Sequence, residues 1–172
     1  MNATALIDRL GRMQSAFPAL LAGVPDDEAR WKPASGAWSI LEIARHMLDE
    51  EILDFRTRVR LTLQDPELPW PPTDPQGWAQ EKRYNQDDLK TTARQFARER
   101  EQSVAWLRSL RNPEWSRAHV HPRFGPLHAG MLLTCWAAHD ALHVRQIAKR
   151  LFELSARDGA GYSTAYAGEW GA

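Results

Sequence analysis

The sequence contains a single cysteine, Cys135, so no disulfide can form within the chain. A lone thiol is typical of proteins from reducing compartments. The sequence also lacks an excess of positive charge, because 22 lysine and arginine residues are balanced by 22 aspartate and glutamate residues. A neutral chain has no general means of neutralising nucleic-acid phosphates, so we expect no nucleic-acid partner.

Long apolar runs are missing as well. No stretch approaches the roughly 18 consecutive apolar residues that a membrane-spanning helix needs. The N-terminus carries Asp8 and has no uninterrupted apolar core followed by a small-residue cleavage site, which argues against a signal peptide. We therefore expect a soluble, cytoplasmic protein that has no membrane partner.

Four segments place apolar residues every three or four positions, which is the periodicity of amphipathic helices, and no segment alternates convincingly as a strand. Ser39 and Glu42 predict a capping box at the start of the second helix, and Asn85 or Asp87 is the expected cap of the third. The predicted helices run approximately over Leu6–Leu21, Ile40–Leu63, Leu89–Leu110 and Gly125–Leu154.

These helices predict an all-α fold, a four-helix bundle with any site in its core. The connection over residues 64–85 contains five prolines, which oppose regular structure, and its length suits a crossover between the second and third helices. Residues 111–124 are expected to form a loop. The bundle is expected to span residues 1–155, followed by a Gly/Ala-rich tail over 156–172 that Tyr162, Tyr166 and Trp170 could dock.

Two histidines lie four residues apart in the last helix, within the stretch CWAAHDALHVRQ. This spacing places His139 and His143 on one face, as when a helix presents two imidazoles to one metal ion. His46 lies near the apolar face of the second helix and would join them if the two helices face each other. Three neutral imidazoles with an open fourth position form a catalytic type of metal site.

The same histidines have a plain structural interpretation. HxxxH pairs also occur on solvated helix faces, and a partly buried His46 can be satisfied by a carboxylate such as Glu50. On this interpretation the chain is a structural or interaction protein whose histidines are packing residues. A further alternative is a non-catalytic metal- or ligand-binding bundle, of a stress-related kind, that holds its metal without turnover.

Other residues are candidates for the surroundings of the site. Glu50 is a candidate acceptor that orients an imidazole, and Gln146 lies almost one turn after the histidine pair. Cys135 lies one turn before the pair, where we expect a buried, unreactive residue rather than a nucleophile or ligand. His121, in the loop before the last helix, is a candidate for the mouth of the site. Arg100 lies near the apolar face of the third helix. It is interpreted either as a contact for an anionic substrate or as a side chain that extends outward into solvent.

Two stretches resemble the DinB-like superfamily, a group of bacterial four-helix bundles that includes the YfiT-like metal-dependent hydrolases. They are WKPASGAWSILEIARHMLDEE and, much later, AAHDALHVRQIAKRL. The shared pattern is a Trp-Ser helix start, a histidine two turns on, and an HxxxH helix followed by Gln-Ile. The resemblance spans roughly Leu6 to Leu154, and the matching positions are Trp38, Ser39, His46, His139, His143, Gln146 and Ile147.

The resemblance implies a divalent metal, zinc or nickel, bound by His46, His139 and His143. It also implies an up-down-down-up bundle in which the proline-rich connection is the crossover, and a homodimer. Relatives use the metal to activate a low-molecular-weight thiol as S-transferases or isomerases, which is sensible because coordination lowers the pKa of a thiol. The implied function is a transferase, isomerase or hydrolase that acts on a small-molecule substrate with a thiol or water.

Overall fold

The computed structural model describes residues 1–168 and Trp170. The described chain is mostly helical, as predicted. Helix α3 (Ile40–Asp49) continues without a break through a π-helical segment (Glu50–Phe55) into α4 (Arg56–Gln64). The three together are here called the second long helix. The helices are α1 (Ala3–Leu21), α2 (Asp26–Arg30), α3 (Ile40–Asp49), α4 (Arg56–Gln64), α5 (Pro75–Glu81), α6 (Leu89–Ser109) and α7 (Ala129–Asp158).

The four long helical elements pack against one another around two apolar clusters. Helix α1 packs on α6 and α7, and α3 packs on the same two helices. The first cluster includes Phe17, Leu21, Ile40, Ile43, Met47, Leu89, Phe96, Ile147 and Leu154. The second includes Leu6, Leu10, Val59, Val104, Leu107, Leu132, Leu133 and Trp136. The part of α7 that bears the histidine pair therefore lies between the two clusters.

The capping box at the start of α3 is confirmed. The Ser39 hydroxyl accepts from the Glu42 backbone N–H at 3.1 Å, and the Glu42 carboxylate accepts from the Ser39 N–H at 2.9 Å. Neither Asn85 nor Asp87 caps α6, because the cap is Asp88, which accepts from the Thr91 N–H. The Asn85 side chain instead accepts from the Ser39 hydroxyl at 2.6 Å and so joins the proline-rich connection to α3.

The proline-rich connection is more regular than expected. Residues Pro75–Glu81 form α5, and Tyr84–Gln86 form a 3₁₀ turn. Pro75 occupies the first turn of α5, where no backbone N–H is required, and the Asp74 carboxylate accepts from the Gly77 N–H at 3.0 Å. The expectation that the prolines prevent regular structure is therefore wrong for this part of the segment.

The expectations of a loop over residues 111–124 and of a helix from Gly125 are also wrong. Ala118–His121 (β1) and Gly125–His128 (β2) pair as an antiparallel hairpin in which His121 faces Gly125. Gly125 has a φ of +71°, a left-handed conformation that follows a three-residue hairpin loop. Helix α7 begins at Ala129, whose N–H donates to a carbonyl of the preceding loop.

The C-terminal residues extend the last helix further than predicted. Helix α7 ends at Asp158 instead of Leu154. Tyr162 and Tyr166 are exposed, whereas the Trp170 ring lies 5.7 Å from that of Phe152, between ring centres. Of the predicted tail, positions 169, 171 and 172 lie outside the described residues, and the division at residue 155 stays a prediction. Within the described chain, every helix is too short or too polar to cross a membrane.

Candidate metal centre

Three histidines from two helices converge at the centre of the fold. The Nε2 atom of His46 lies 3.3 Å from Nε2 of His139 and 3.1 Å from Nε2 of His143. The Nε2 atoms of His139 and His143 are 2.9 Å apart. These three residues are here called the histidine cluster, and they form the group of potential metal ligands found among the described residues.

Local sequence explains why the three rings meet. His46 follows the capped start of α3 by about two turns, and α3 packs directly on α7. His139 and His143 are one turn apart on α7, so both rings project from the same face toward α3. The predicted convergence of the three side chains is therefore present in the structure.

Gln146 fixes the proton of one ring. Its Oε1 lies 2.8 Å from Nδ1 of His143, and an amide oxygen can only accept, so Nδ1 of His143 is the protonated nitrogen. The Nε2 atom of His143 then presents a lone pair to the other two rings. An outer hydrogen bond of this kind orients a ligating imidazole and increases its basicity.

All three rings are uncharged at neutral pH. Burial, followed by repulsion from His143, lowers the pKa of His46 to about 3. Burial, followed by repulsion from the other two rings, lowers the pKa of His139 to about 2. Burial also lowers the pKa of His143, against the opposing hydrogen bond to Gln146. The cluster therefore offers neutral nitrogen donors instead of imidazolium ions.

The donor set fits a divalent metal ion. Zinc bound tetrahedrally at the usual Zn–N distance of about 2.0–2.1 Å would hold its nitrogen ligands roughly 3.3 Å apart. The observed Nε2 separations of 2.9–3.3 Å are close to this value. Imidazole nitrogen also suits nickel, copper and iron, so the ligand type does not select one of these metals.

A carboxylate lies behind His46. Oε1 of Glu50 is 3.9 Å from Nδ1 of His46, and neither atom has a hydrogen-bond partner within the described chain. Burial, with an added contribution from the Asp54 carboxylate, raises the pKa of Glu50 to about 8. Glu50 begins the π-helical segment, a type of helical irregularity that is frequent at functional sites.

Aromatic rings enclose the histidine cluster. The ring of Trp38 lies 4.9 Å from that of His46, and the ring of Phe55 lies 5.0 Å from that of His139, between centres. Phe55 in turn stacks on Trp136, a residue of the second apolar cluster. These rigid walls keep water away from two of the imidazoles and hold them in place.

Arg100 stands in a buried ion network beside the cluster. Its guanidinium contacts the Asp140 carboxylate at 2.5 and 2.9 Å and Glu51 at 2.8 Å, with 1% of the side chain exposed. Glu51 also accepts from the Trp136 indole N–H at 2.9 Å. Burial opposes the charge of Arg100, but the two carboxylates outweigh it and raise its pKa. Of the two interpretations of Arg100, outward extension is therefore wrong, and a contact with an anionic substrate stays a prediction.

Two of the other candidate residues lie apart from the histidine cluster. Cys135 is exposed, so the expectation that it is buried is wrong. His121 belongs to the hairpin, where its Nδ1 accepts from the backbone N–H groups of Arg123 and Phe124. Gln146 contacts the cluster directly, and Glu50 lies close behind it.

A cavity of about 590 Å³ opens beside the cluster, and it is here called the cluster cavity. Its wall includes Trp38, which packs on His46, and Gln146, which is bonded to His143. Helix α5 contributes Gln76 to the rim. The volume lies within the range of small-molecule sites in proteins.

The sequence interpretation missed the positive charge of this cavity. Arg145, Lys149 and Arg150 of α7 all line it. For Arg150 the signal was available, because residues seven positions apart share one face of a helix and Arg150 follows His143 by seven. Trp38, which marks the helix start in the family pattern, is a cavity wall as well.

The fold and the centre together define a helical-bundle protein with a buried cluster of three histidines. The family model of the DinB superfamily matches residues 9–147, so the chain belongs to the DinB superfamily. The fold is similar to the solved structure of YfiT from Bacillus subtilis, with a TM-score of 0.76 and 20% sequence identity over 91% of this chain and 87% of that one. YfiT is described as a probable metal-dependent hydrolase with an unusual four-helix bundle topology. No curated protein matches the chain.

Proposed function

We propose that this protein is a metal-dependent enzyme whose histidine cluster binds one divalent ion through the three Nε2 atoms. The observation that supports this most directly is the approach of three uncharged donors to within 3.3 Å of one another. When bound, such an ion lowers the pKa of a water molecule or a thiol toward neutrality and so supplies a nucleophile. The structural likeness to YfiT agrees with this class of function.

The residues around the cluster have separate parts in the proposed mechanism. The amide oxygen of Gln146 accepts a hydrogen bond from Nδ1–H of His143 and so keeps the lone pair of Nε2 directed at the ion. Trp38 and Phe55 pack on the rings and exclude water. The cluster cavity admits a small-molecule substrate beside the centre. The second reactant is water in a hydrolase and a low-molecular-weight thiol in a transferase or isomerase.

Metal content tests the proposal. Protein purified without a chelator and without nickel affinity resin is analysed for its elements before and after incubation with zinc or nickel. We expect about one ion per chain in the wild type and a loss of most of it in His46→Ala and His139→Ala, since each variant lacks one of three donors. His128→Ala, which removes an exposed histidine at the hairpin end, is the matched control and keeps its metal.

Measuring turnover distinguishes an enzyme from a non-catalytic metal-binding protein. Metal-loaded protein is incubated with a thiol and an electrophile such as a chlorinated aromatic, and in parallel with ester and amide substrates in water. A rate above that of His143→Ala identifies the reaction class. Stoichiometric metal with no turnover in any assay would favour the alternative, a non-catalytic metal-binding bundle. No metal after reconstitution would overturn both and leave the histidines as packing residues.

We also propose an up-down-down-up topology with the proline-rich connection as its crossover. The two apolar clusters support it. The first joins the C-terminal parts of α1 and α7 to the N-terminal parts of the second long helix and α6, and the second joins the opposite ends of the same four elements. The expected homodimer and cytoplasmic location stay predictions, and light scattering of the purified protein tests the first of them.

A further inference from the structure

The cluster cavity is strongly cationic although the whole chain is neutral. Three of its lining residues are Arg145, Lys149 and Arg150, and no aspartate or glutamate lines it within the described part of the chain. The complete sequence has equal numbers of acidic and basic residues. The charge is therefore concentrated here by the fold, in the part of α7 that lines the cavity.

Arg150 is the unusual member of this group. It is a charged side chain with only 5% of its surface exposed, and its Nη2 lies 2.9 Å from the Glu153 carboxylate. Its Nε and Nη1 have no hydrogen-bond partner in the described chain. Buried guanidinium groups normally satisfy their donors, because an unpaired buried donor costs free energy. A guanidinium fork with unused donors is suited to the two oxygens of a carboxylate or phosphate.

Arg145 and Lys149 extend the same charge toward solvent. Both are exposed, and neither forms an ion pair with any described residue. Exposed cations at the entrance attract an anion from solution, whereas the buried Arg150 is the group that fixes its position. The neutral polar side chains of Gln76 and Gln146 complete the polar part of the wall.

One side of the cluster cavity adjoins residues that contact the histidine cluster, and another carries Arg150. Arg150 follows His143 by seven residues on α7, a rise of about 10 Å along the helix. Gln146 lies between them, lining the cavity while bonded to His143. The cavity wall therefore includes both Arg150 and two residues that contact the histidine cluster, Gln146 and Trp38.

We propose that the cluster cavity binds a small organic anion, whose carboxylate or phosphate oxygens pair with Arg150 while Arg145 and Lys149 draw it in. The anion site stands on the cavity and its cations alone. That the other end of the molecule reacts at the histidine cluster rests on the proposed function. The substrate or thiol would then be an anionic metabolite rather than a neutral or cationic one.

The test measures anion binding to the isotope-labelled full-length protein by nuclear magnetic resonance. The probes are succinate and inorganic phosphate, with succinamide as a neutral molecule of nearly the same shape, all at matched ionic strength. The reporter is the Trp38 indole N–H, assigned with Trp38→Phe. We expect a saturable shift with succinate, with phosphate or with both, which identifies the preferred anion, and none with succinamide. Persistence of the shift after chelator treatment shows that the chain, not a metal, holds the anion.

Charge-matched variants locate the site. Arg150→Gln should weaken the binding about tenfold or more, because it removes a buried charge-assisted pair, and Lys149→Gln should weaken it about threefold. Arg98→Gln removes an equal charge from an exposed position of α6 and should change nothing. Equal weakening by Arg98→Gln, or equal shifts with succinamide, would overturn the proposal. If Arg150→Gln does not fold, unchanged anion binding in both Lys149→Gln and Arg145→Gln would overturn the proposal.

Measuring the metal content of the same samples distinguishes a failure of the anion site from a failure of the proposed function. A protein that takes up zinc but shows no saturable shift with either anion contradicts the anion site alone. A protein that binds the anion but never takes up metal contradicts the proposed function, and with it the reaction at the cluster, while the anion site stands.

Discussion

Gln146 joins the two halves of the proposed site by a hydrogen bond, since it bonds to His143 and lines the cluster cavity. Its role toward the histidine is positional. By accepting from Nδ1–H it selects the tautomer in which Nε2 is free to bind a cation. The side chain touches a proposed ligand without being one.

The first prediction concerns this hydrogen bond. Gln146→Leu should lower zinc affinity by about 10- to 100-fold, because the ring of His143 loses its orientation and its preferred tautomer. Affinity is measured by competition with a chromophoric chelator. Gln95→Leu, at an exposed position of α6, is the control and should bind zinc like the wild type. An unchanged affinity in a folded Gln146→Leu protein would show that the contact does not support the metal.

At the residue scale, the sequence predicted the members of the cluster better than their surroundings. The spacing of His139 and His143 fixes a shared face, and a capped helix start fixes the phase of His46. The place of Trp38 in the cavity wall depends on how separate elements pack, which no local pattern specifies, whereas the spacing of Arg150 from His143 was a local signal that the interpretation passed over. Cys135 shows the same limit, because its helical phase suggested burial and the structure leaves it exposed.

At the element scale, the π-helical segment and α6 are joined by the buried network of Arg100. Glu51 lies in the π-helical segment, Asp140 follows the first histidine of α7, and Arg100 of α6 contacts both. The network therefore ties together three elements around the histidine cluster. A buried charge in such a network is costly once its partner is removed.

The second prediction concerns the stability that depends on this network. Arg100→Met should lower the free energy of unfolding by about 3–5 kcal/mol, because it leaves Glu51 and Asp140 buried without a cation. Arg98→Met, two positions away and exposed, should change it by less than about 0.5 kcal/mol. Urea unfolding followed by circular dichroism measures both. Equal effects in the two variants would mean that the network does not stabilise the fold.

The elements themselves were predictable where their pattern is long and local. The four long helices have apolar residues at helical spacing, so their existence followed from the sequence. The hairpin before α7 was missed because each strand has only four residues, too few for alternation to stand out. The π-helical segment was missed because its residues continue the helical periodicity on both sides.

At the scale of the whole molecule, burial shifts the pKa values of neighbouring groups in opposite directions. The cluster histidines are buried and neutral, with a pKa of about 3 for His46 and about 2 for His139. In the unfolded chain a histidine has a pKa near 6.5, so the unfolded state takes up protons that the folded state refuses. Stability from these residues is complete above about pH 6.5 and is lost progressively as the pH falls from that value toward the folded pKa values. Glu50 acts in the opposite sense between its unfolded pKa of 4.5 and its folded pKa of about 8.

The third prediction uses a variant to isolate the histidine contribution from that of Glu50. Metal-free wild-type protein and His46→Gln are unfolded with urea at several values between about pH 6.5 and pH 4.5. The wild type should lose stability more steeply than the variant, by about 1 kcal/mol per pH unit, since each suppressed protonation is worth at most about 1.4 kcal/mol per unit. Removing His46 removes one of these suppressed protonations and leaves Glu50 present in both proteins. Parallel pH profiles would mean that the cluster takes up protons in the folded state, and neutral donors at its centre could then not be assumed.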